Sequence, residues 1–72
     1  LWQALRLCRK RLADEIDKPA YVVFSDATLK EMVRMKPADH YELGRLTGVG
    51  DRKLEKYGDA FLAVIARAAG QS

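Results

Sequence analysis

Apolar residues near the start of the chain recur at the spacing of one helix face. Steps of three and four positions join Leu1, Leu5, Cys8, Leu12 and Ile16. This spacing is typical of an amphipathic α-helix. The first proline, Pro19, cannot continue a helix because it lacks an amide hydrogen and crowds the preceding turn. We therefore predict a first helix over about residues 2–17.

The stretch that follows this helix carries no charge. Residues 19–24 include the run Tyr21-Val22-Val23-Phe24, which is rich in β-branched and aromatic side chains. The run is too short to form a sheet without partner strands elsewhere in the chain. We interpret it as an extended connector with room for one helical turn.

A second amphipathic segment follows the connector. Ser25 is a favourable N-cap for a helix that starts near Asp26, and Phe24 and Leu29 then have the spacing of a hydrophobic staple. The residue before a proline is driven out of the helical region, so Pro37 ends this helix no later than about Lys36. The predicted helix is short, and its apolar face consists of Leu29, Met32 and Val33.

A third helix is predicted from the spacing of a capping box. Asp39 and Glu42 are three residues apart, and the apolar positions Leu43 and Leu46 follow them. The helical pattern then breaks at Gly48-Val49-Gly50, where two glycines allow the backbone to turn.

The remainder of the chain predicts two more helices. One runs from Asp51 to Tyr57, with Gly58 as its left-handed C-terminal cap. Asp59 is then the N-cap of a last helix that ends at Gly70, with an apolar face of Phe61, Leu62, Val64, Ile65 and Ala68. The predicted fold class is all-α, a compact bundle of about five short helices with a helix-hairpin-helix-like turn and no strands.

Length and composition fit one small domain. The 72 residues, 49% hydrophobic and 32% charged, leave no room for a second core, so we predict a single domain over residues 1–72. No apolar run approaches the roughly 18 residues that span a bilayer, and we expect a soluble, cytoplasmic monomer without a membrane partner. Because the chain begins with Leu1-Trp2-Gln3, without a methionine, we expect a fragment of a larger protein.

The sequence offers little to an enzyme or to a metal site. One cysteine, Cys8, and one histidine, His40, exclude an intrachain disulfide and a zinc site of Cys and His ligands. Cys8 occupies a helical core position, so we interpret it as a small buried hydrophobe. No nucleophile is placed beside His40, which we assign to the surface, and no Walker sequence occurs. We predict no catalytic residue, no metal ligand and no cofactor in this domain.

Charge alone does not decide the function. The net charge is +3, and residues 1–18 hold five basic and three acidic side chains. A weakly basic surface permits phosphate contacts, but mixed charges are also what solubility requires. We assign Arg9, Lys10 and Arg11 to a solvated helix face.

The Gly48-Val49-Gly50 turn is one candidate for nucleic-acid binding. Its glycines let the main chain approach a phosphate, which the first amides of the next helix can then bind without reading sequence. Arg52 and Lys53 in that first turn add positive charge. The alternative is that the turn only joins two helices, with Val49 in the core, and the carboxylate of Asp51 favours this alternative because it would repel a phosphate.

The uncharged connector is the second candidate. An exposed Tyr21 can stack on a nucleobase while Lys18 meets the backbone, a combination found in single-strand binders. The alternative is that Tyr21 packs on the helices, as we expect Phe24 to do. Arg34 and Lys36 end the second helix, where cations also favour the helix dipole without any ligand.

The order of these features resembles the helicase-and-RNase-D C-terminal (HRDC) domain family over about residues 1–69. Three pieces together carry the likeness: the connector Pro19-Ala20-Tyr21-Val22-Val23-Phe24, the helix start Ser25-Asp26-Ala27-Thr28-Leu29 and the turn Gly48-Val49-Gly50. Further matching positions are Leu5, Arg6, Arg9, Leu12, Ala13, Pro37, Glu42, Leu43, Lys53, Tyr57 and Gly58.

The resemblance implies a function as well as a fold. It implies a helical bundle attached to RecQ-type DNA helicases or RNase D-type exonucleases, and the connector is most similar to that of bacterial RecQ helicases. Such a domain binds single-stranded or branched DNA and tunes substrate choice, in a nucleoid-associated parent that uses ATP and Mg²⁺. Tyr21 is the main contact that the resemblance implies, accompanied by Lys18, Arg34, Lys36, Arg52 and Lys53. The alternative is a regulatory module with little DNA binding that docks on its own helicase core or on a partner.

Overall fold

The computed structural model describes residues 1–70, and the last two positions of the predicted 1–72 domain lie outside the described residues. It contains five helices, which in chain order are α1 (Trp2–Glu15), α2 (Ala20–Val23), α3 (Asp26–Met35), α4 (His40–Gly44) and α5 (Asp51–Ala68). Residues 1–70 contain no strand. The prediction of an all-α fold with about five short helices is confirmed.

The first helix ends slightly before its predicted boundary, in a Schellman motif. Asp17 adopts a left-handed φ of 54°, and its N–H donates to the carbonyl of Asp14 at 3.2 Å. The N–H of Lys18 donates to the carbonyl of Ala13 at 3.0 Å. These two bonds satisfy carbonyls that the end of a helix leaves open. These hydrogen bonds therefore end α1 before the chain reaches Pro19.

The connector folds as the single turn α2, with Pro19 as its N-cap. Phe24 then returns to extended backbone, and the hydroxyl of Ser25 accepts a hydrogen bond from the N–H of Thr28 at 3.2 Å. Phe24 and Leu29 are both fully buried. The predicted N-cap is confirmed, and both residues of the predicted hydrophobic staple lie in the core.

The boundaries between α3 and α4 also follow the prediction. Lys36 takes a left-handed φ of 46°, and its N–H donates to the carbonyl of Met32 at 2.9 Å. The carboxylate of Asp39 accepts the N–H of Glu42 at 2.9 Å, and the carboxylate of Glu42 accepts the N–H of Ala38 at 2.8 Å. The capping box is present, with its return bond shifted by one residue toward the N-terminus.

The last two predicted helices are one continuous helix. Because α5 passes through Gly58, the predictions of Gly58 as a left-handed cap and of Asp59 as an N-cap are wrong. Gly58 is buried, and a Cβ atom there would lie 3.7 Å from both Leu43 Cδ2 and His40 Cε1. The tightest neighbour of that Cβ position is Leu54 Cδ1 of α5 itself, at 3.2 Å, so the glycine lies in a packed part of the helix and not at a turn. The carboxylate of Asp59 pairs with His40 Nε2 at 2.5 Å, on the exposed side of the same contact.

Phe24 lies at the centre of the core. Its ring meets that of Phe61 edge-on, with centroids 5.0 Å apart, and that of Tyr57 at 6.1 Å. Cys8 is buried in the same cluster, as predicted. The largest fully buried side chains are Phe24, Phe61, Leu5, Leu29, Met32, Leu43 and Val23. A residue of the connector therefore joins α1, α3 and α5 through one shared core.

Candidate nucleic-acid interface

Tyr21 projects from α2 into solvent. Its side chain is 70% exposed, whereas Val23 and Phe24, which follow it, are fully buried. The single turn of α2 therefore has Tyr21 on its solvent side and Val23 on its core side. Of the two alternatives for Tyr21, packing or exposure, the structure shows exposure. The expectation that Phe24 packs in the core is confirmed.

A buried arginine holds the connector against α1. The side chain of Arg9 is 9% exposed, and its Nη1 donates to the carbonyl of Phe24 at 3.1 Å and pairs with a carboxylate oxygen of Asp26 at 2.7 Å. The hydrogen bond and the charge of Arg9 lower the pKa of Asp26. The expectation that Arg9 lies on a solvated face is therefore wrong. Its role is to fix the end of α2 and the start of α3.

Four cationic residues line a cleft between α1 and the start of α2, and one of them, Arg9, is already paired with Asp26. We call this cleft the basic groove and define it by Arg6, Lys10 and Lys18, which line it together with Pro19 and Ala20. Its volume is about 500 Å³. The one carboxylate that lines it, that of Asp14, lies 3.5 Å from Lys10 Nζ. Tyr21 does not itself line the groove, but it directly follows the lining residue Ala20 in the chain.

Arg6 and Lys10 are candidate contacts that the sequence did not identify. They are four residues apart on α1, which places them on one face of that helix. The guanidinium carbon of Arg6 lies 5.8 Å from the centroid of the Trp2 ring. The i, i+4 spacing was a usable signal, but only the folded chain brings these residues to α2.

The glycine turn has a structural requirement at its first glycine. Gly48 has a φ of +85°, and a Cβ atom there would lie 2.6 Å from the hydroxyl oxygen of Thr28. That hydroxyl donates to the carbonyl of Thr47 at 2.8 Å. Val49 is 8% exposed, and its N–H donates to the carbonyl of Leu46 at 3.3 Å. Val49 belongs to the core, so its side chain is not open to a nucleic acid.

The N-terminus of α5 is open to an anion. Gly50 is the N-cap, and no side chain caps the helix within residues 1–70. Arg52 is exposed in the first turn, whereas Lys53 is half-buried with its Nζ 5.8 Å from the centroid of the Phe24 ring. Asp51 is also exposed in that turn and opposes an anion. The turn is thus a second place for a phosphate, separate from the basic groove.

Arg34 and Lys36 lie in two other clefts. Arg34 is in a cleft that it shares with the carboxylates of Glu31 and Glu42. Lys36 adjoins Pro37 and Leu62 in another. The structure therefore brings Lys18 close to the Tyr21 turn, but it does not bring Arg34 or Lys36 into the basic groove.

The described part of the chain has neither a metal-ligand cluster nor a helix suited to crossing a membrane. Within residues 1–70, no three His, Cys, Asp or Glu side chains are grouped so that they could hold a metal ion. None of the five helices is both long and apolar enough to cross a membrane.

Comparison with known proteins identifies similar chains. The family described as HRDC domain matches residues 1–65. An ATP-dependent DNA helicase RecQ of Haemophilus influenzae is 45% identical over 65 residues, which are 90% of this chain and 10% of the helicase. The RecQ of Bacillus subtilis is 48% identical over 65 residues, 90% of this chain and 11% of that protein. The chain thus spans about a tenth of the length of these helicases.

A solved structure has the same fold. The D. radiodurans RecQ HRDC domain 3 superposes with a TM-score of 0.91 at 34% identity, covering 94% of this chain and 90% of that one. The solved chain is therefore close to this one in length as well as in fold.

Proposed function

The chain belongs to the HRDC domain family, and we propose that it is an auxiliary nucleic-acid-binding domain of a RecQ-type DNA helicase. In this proposal the domain binds single-stranded or branched DNA weakly and tunes the substrate choice of its parent. The parent's own core carries out ATP hydrolysis with Mg²⁺, and the domain carries out no chemistry.

The observation that carries the proposal is the exposed Tyr21, which comes directly after the basic-groove residue Ala20 in the chain. A base can stack on the ring while its phosphates meet Arg6, Lys10 and Lys18. Aromatic stacking and backbone charge together bind single strands without reading their sequence. The hydrogen bonds of Arg9 hold the connector, so the ring is presented from a fixed backbone.

The glycine turn is the second contact in this proposal. The amides of the first turn of α5, with Gly48 and Gly50 behind them and Arg52 and Lys53 beside them, receive one phosphate. Val49 supports that turn from the core. Arg34 and Lys36 lie in other clefts, so we assign them to DNA that extends beyond the basic groove, as a branched substrate does.

Tyr21→Ala tests the proposal directly. Titration of fluorescently labelled single-stranded DNA at low salt should show affinity lower by about 5- to 150-fold, which corresponds to the roughly 1–3 kcal/mol of stacking on one base. Tyr21→Phe keeps the ring and should bind DNA as tightly as the unsubstituted domain does.

The matched control is Tyr41→Ala. Tyr41 is 74% exposed on α4 and also lies beside an arginine, with Arg45 Cζ 5.8 Å from its ring centroid. Loss of this ring should leave DNA binding unchanged. If the unsubstituted domain did not bind DNA at low salt, this result would contradict the proposal and favour the regulatory docking alternative.

A further inference from the structure

A second groove runs between α1 and α5. Its volume is about 770 Å³, and we call it the apolar groove because Leu1, Leu7, Val64 and several alanines line it. Leu7 is 67% exposed at its edge. No side chain of residues 1–70 fills it, so a substantial apolar surface of the described chain faces solvent.

The two walls of the apolar groove have the geometry of a helix-binding trough. Each wall is a stripe at helical spacing, from Leu1 to Arg11 on α1 and from Ala60 to Ala68 on α5. The α1 stripe extends about 15 Å along its axis, the length of about three helical turns. Because the side chains of Ala60 and Ala63 are small, the α5 wall of the groove projects little. A third helix can lie in the trough with its larger apolar side chains directed inward.

The charged residues of the apolar groove all have one sign. Arg11 and Arg67 line it, and no aspartate or glutamate does. None of the ion pairs within residues 1–70 involves either arginine. An occupant with carboxylates on both sides of an apolar stripe would match this pattern, because complementary charge selects a partner and its orientation.

From these observations we infer that the apolar groove binds an acidic amphipathic helix of a partner protein, with leucine-like side chains in the trough and carboxylates against Arg11 and Arg67. This mode of recognition uses apolar anchors at i, i+3, i+4 and i+7. A second copy of this chain fits less well, because a symmetric pairing would set the two arginines against the same two arginines. The inference does not depend on DNA binding.

A synthetic helix tests the inference. The probe is a peptide of about four helical turns with leucines at i, i+3, i+4 and i+7 and glutamates flanking them. Titrated into the ¹⁵N-labelled chain, it should shift backbone resonances of α1 and α5 along the groove. A peptide with lysine in place of each glutamate should bind at least about tenfold more weakly, since it meets like charges. Equal binding of the two peptides, no binding of the acidic one, or shifts confined to other helices would overturn the inference.

Variants of the chain separate charge from shape. Arg67→Glu should weaken the acidic peptide about fivefold, because one attraction is lost and one repulsion is added. Lys56→Glu makes the same charge change at an exposed position of α5 outside the groove and should have little effect. Ala63→Gln places a longer polar side chain in the trough and should weaken the peptide at least as much, while the melting midpoint and DNA affinity stay unchanged. Unweakened binding by Arg67→Glu and Ala63→Gln would overturn the inference.

Discussion

Arg9 shows how a full charge can lie almost inside a small core. A buried charge is tolerated only where partners replace the water that it loses. Arg9 has two, the carbonyl of Phe24 and the carboxylate of Asp26, and one comes from each side of the connector's end. Among the described residues, no buried side-chain nitrogen or oxygen lacks a hydrogen-bond partner. The residue therefore positions the connector and, through it, Tyr21.

Arg9→Met should destabilise the domain. The methionine keeps much of the apolar packing but leaves the Phe24 carbonyl without its donor, so the free energy of unfolding should fall by about 1–3 kcal/mol. Urea unfolding followed by circular dichroism measures this. Lys10→Met is the control, because Lys10 is exposed and its pair with Asp14 is long at 3.5 Å; its effect should stay within about 0.5 kcal/mol. Equal effects of the two variants would contradict a structural role for Arg9.

The Asp26 carboxylate should make stability depend on pH at the acid end. The hydrogen bond and charge of Arg9 lower its pKa in the folded state below that in the unfolded chain. Its stabilising contribution is thus fully present above the unfolded-state pKa of about 4 and is lost as pH falls through the lower folded-state value. The urea midpoint of Asp26→Asn should be lower than that of the parent chain at pH 7, and the difference should shrink below about pH 4. A difference that did not change with pH would show that the ionised carboxylate of Asp26 does not stabilise the fold.

At the scale of the helices, the sequence predicted those features that depend on neighbouring residues. The caps at Ser25 and Asp39 were predictable because each joins a side chain to an amide three residues away. Gly58 was not, since a glycine before a good N-cap residue looks like a helix end. Its surroundings include Leu43 and His40 of α4, which approach it only in the folded chain.

The candidate site divides in the same way. Tyr21 and Lys18 were identifiable because the connector that holds them is continuous in sequence. Arg6 and Lys10 join them only when α2 folds back on α1, and the solvated interpretation of Arg9 failed because its two partners lie 15 and 17 positions away along the chain. The sequence pattern thus predicted the helices better than it predicted the contacts between them.

The two glycines of the turn should respond differently to substitution by alanine. Gly48→Ala should lower the free energy of unfolding by about 2 kcal/mol, because alanine is strained at positive φ and its Cβ would displace the Thr28 hydroxyl from Thr47. Gly50→Ala should change it by less than about 1 kcal/mol, since Gly50 has an ordinary φ and open space around it. Thermal melts of both variants measure the difference, and similar losses would show that the turn is not held as described.

On the scale of the whole molecule, α1 separates two different surfaces. One side of the helix faces α2 and forms the basic groove, and the other faces α5 and forms the apolar groove. Leu7 lines both and marks the ridge between them. The net charge of +3 is therefore less informative than its distribution. The cations of one groove lie close in sequence to the exposed Tyr21, and the two arginines of the other border an apolar trough. The two proposed binding surfaces therefore lie on adjacent faces of a single helix, with Leu7 belonging to both.

The dependence of DNA binding on salt should report how many charges this surface contributes. Each phosphate neutralised on a single strand changes the slope of log affinity against log salt by about −0.7, so the three cations of the basic groove predict a slope of about −2. Lys10→Gln should weaken binding and make the slope less steep by about 0.7. Lys56→Gln removes the same charge from an exposed position of α5 outside the groove and should leave the slope unchanged. An equal change for both lysines would mean that DNA responds to the net charge of the domain, and that the basic groove has no special part in binding.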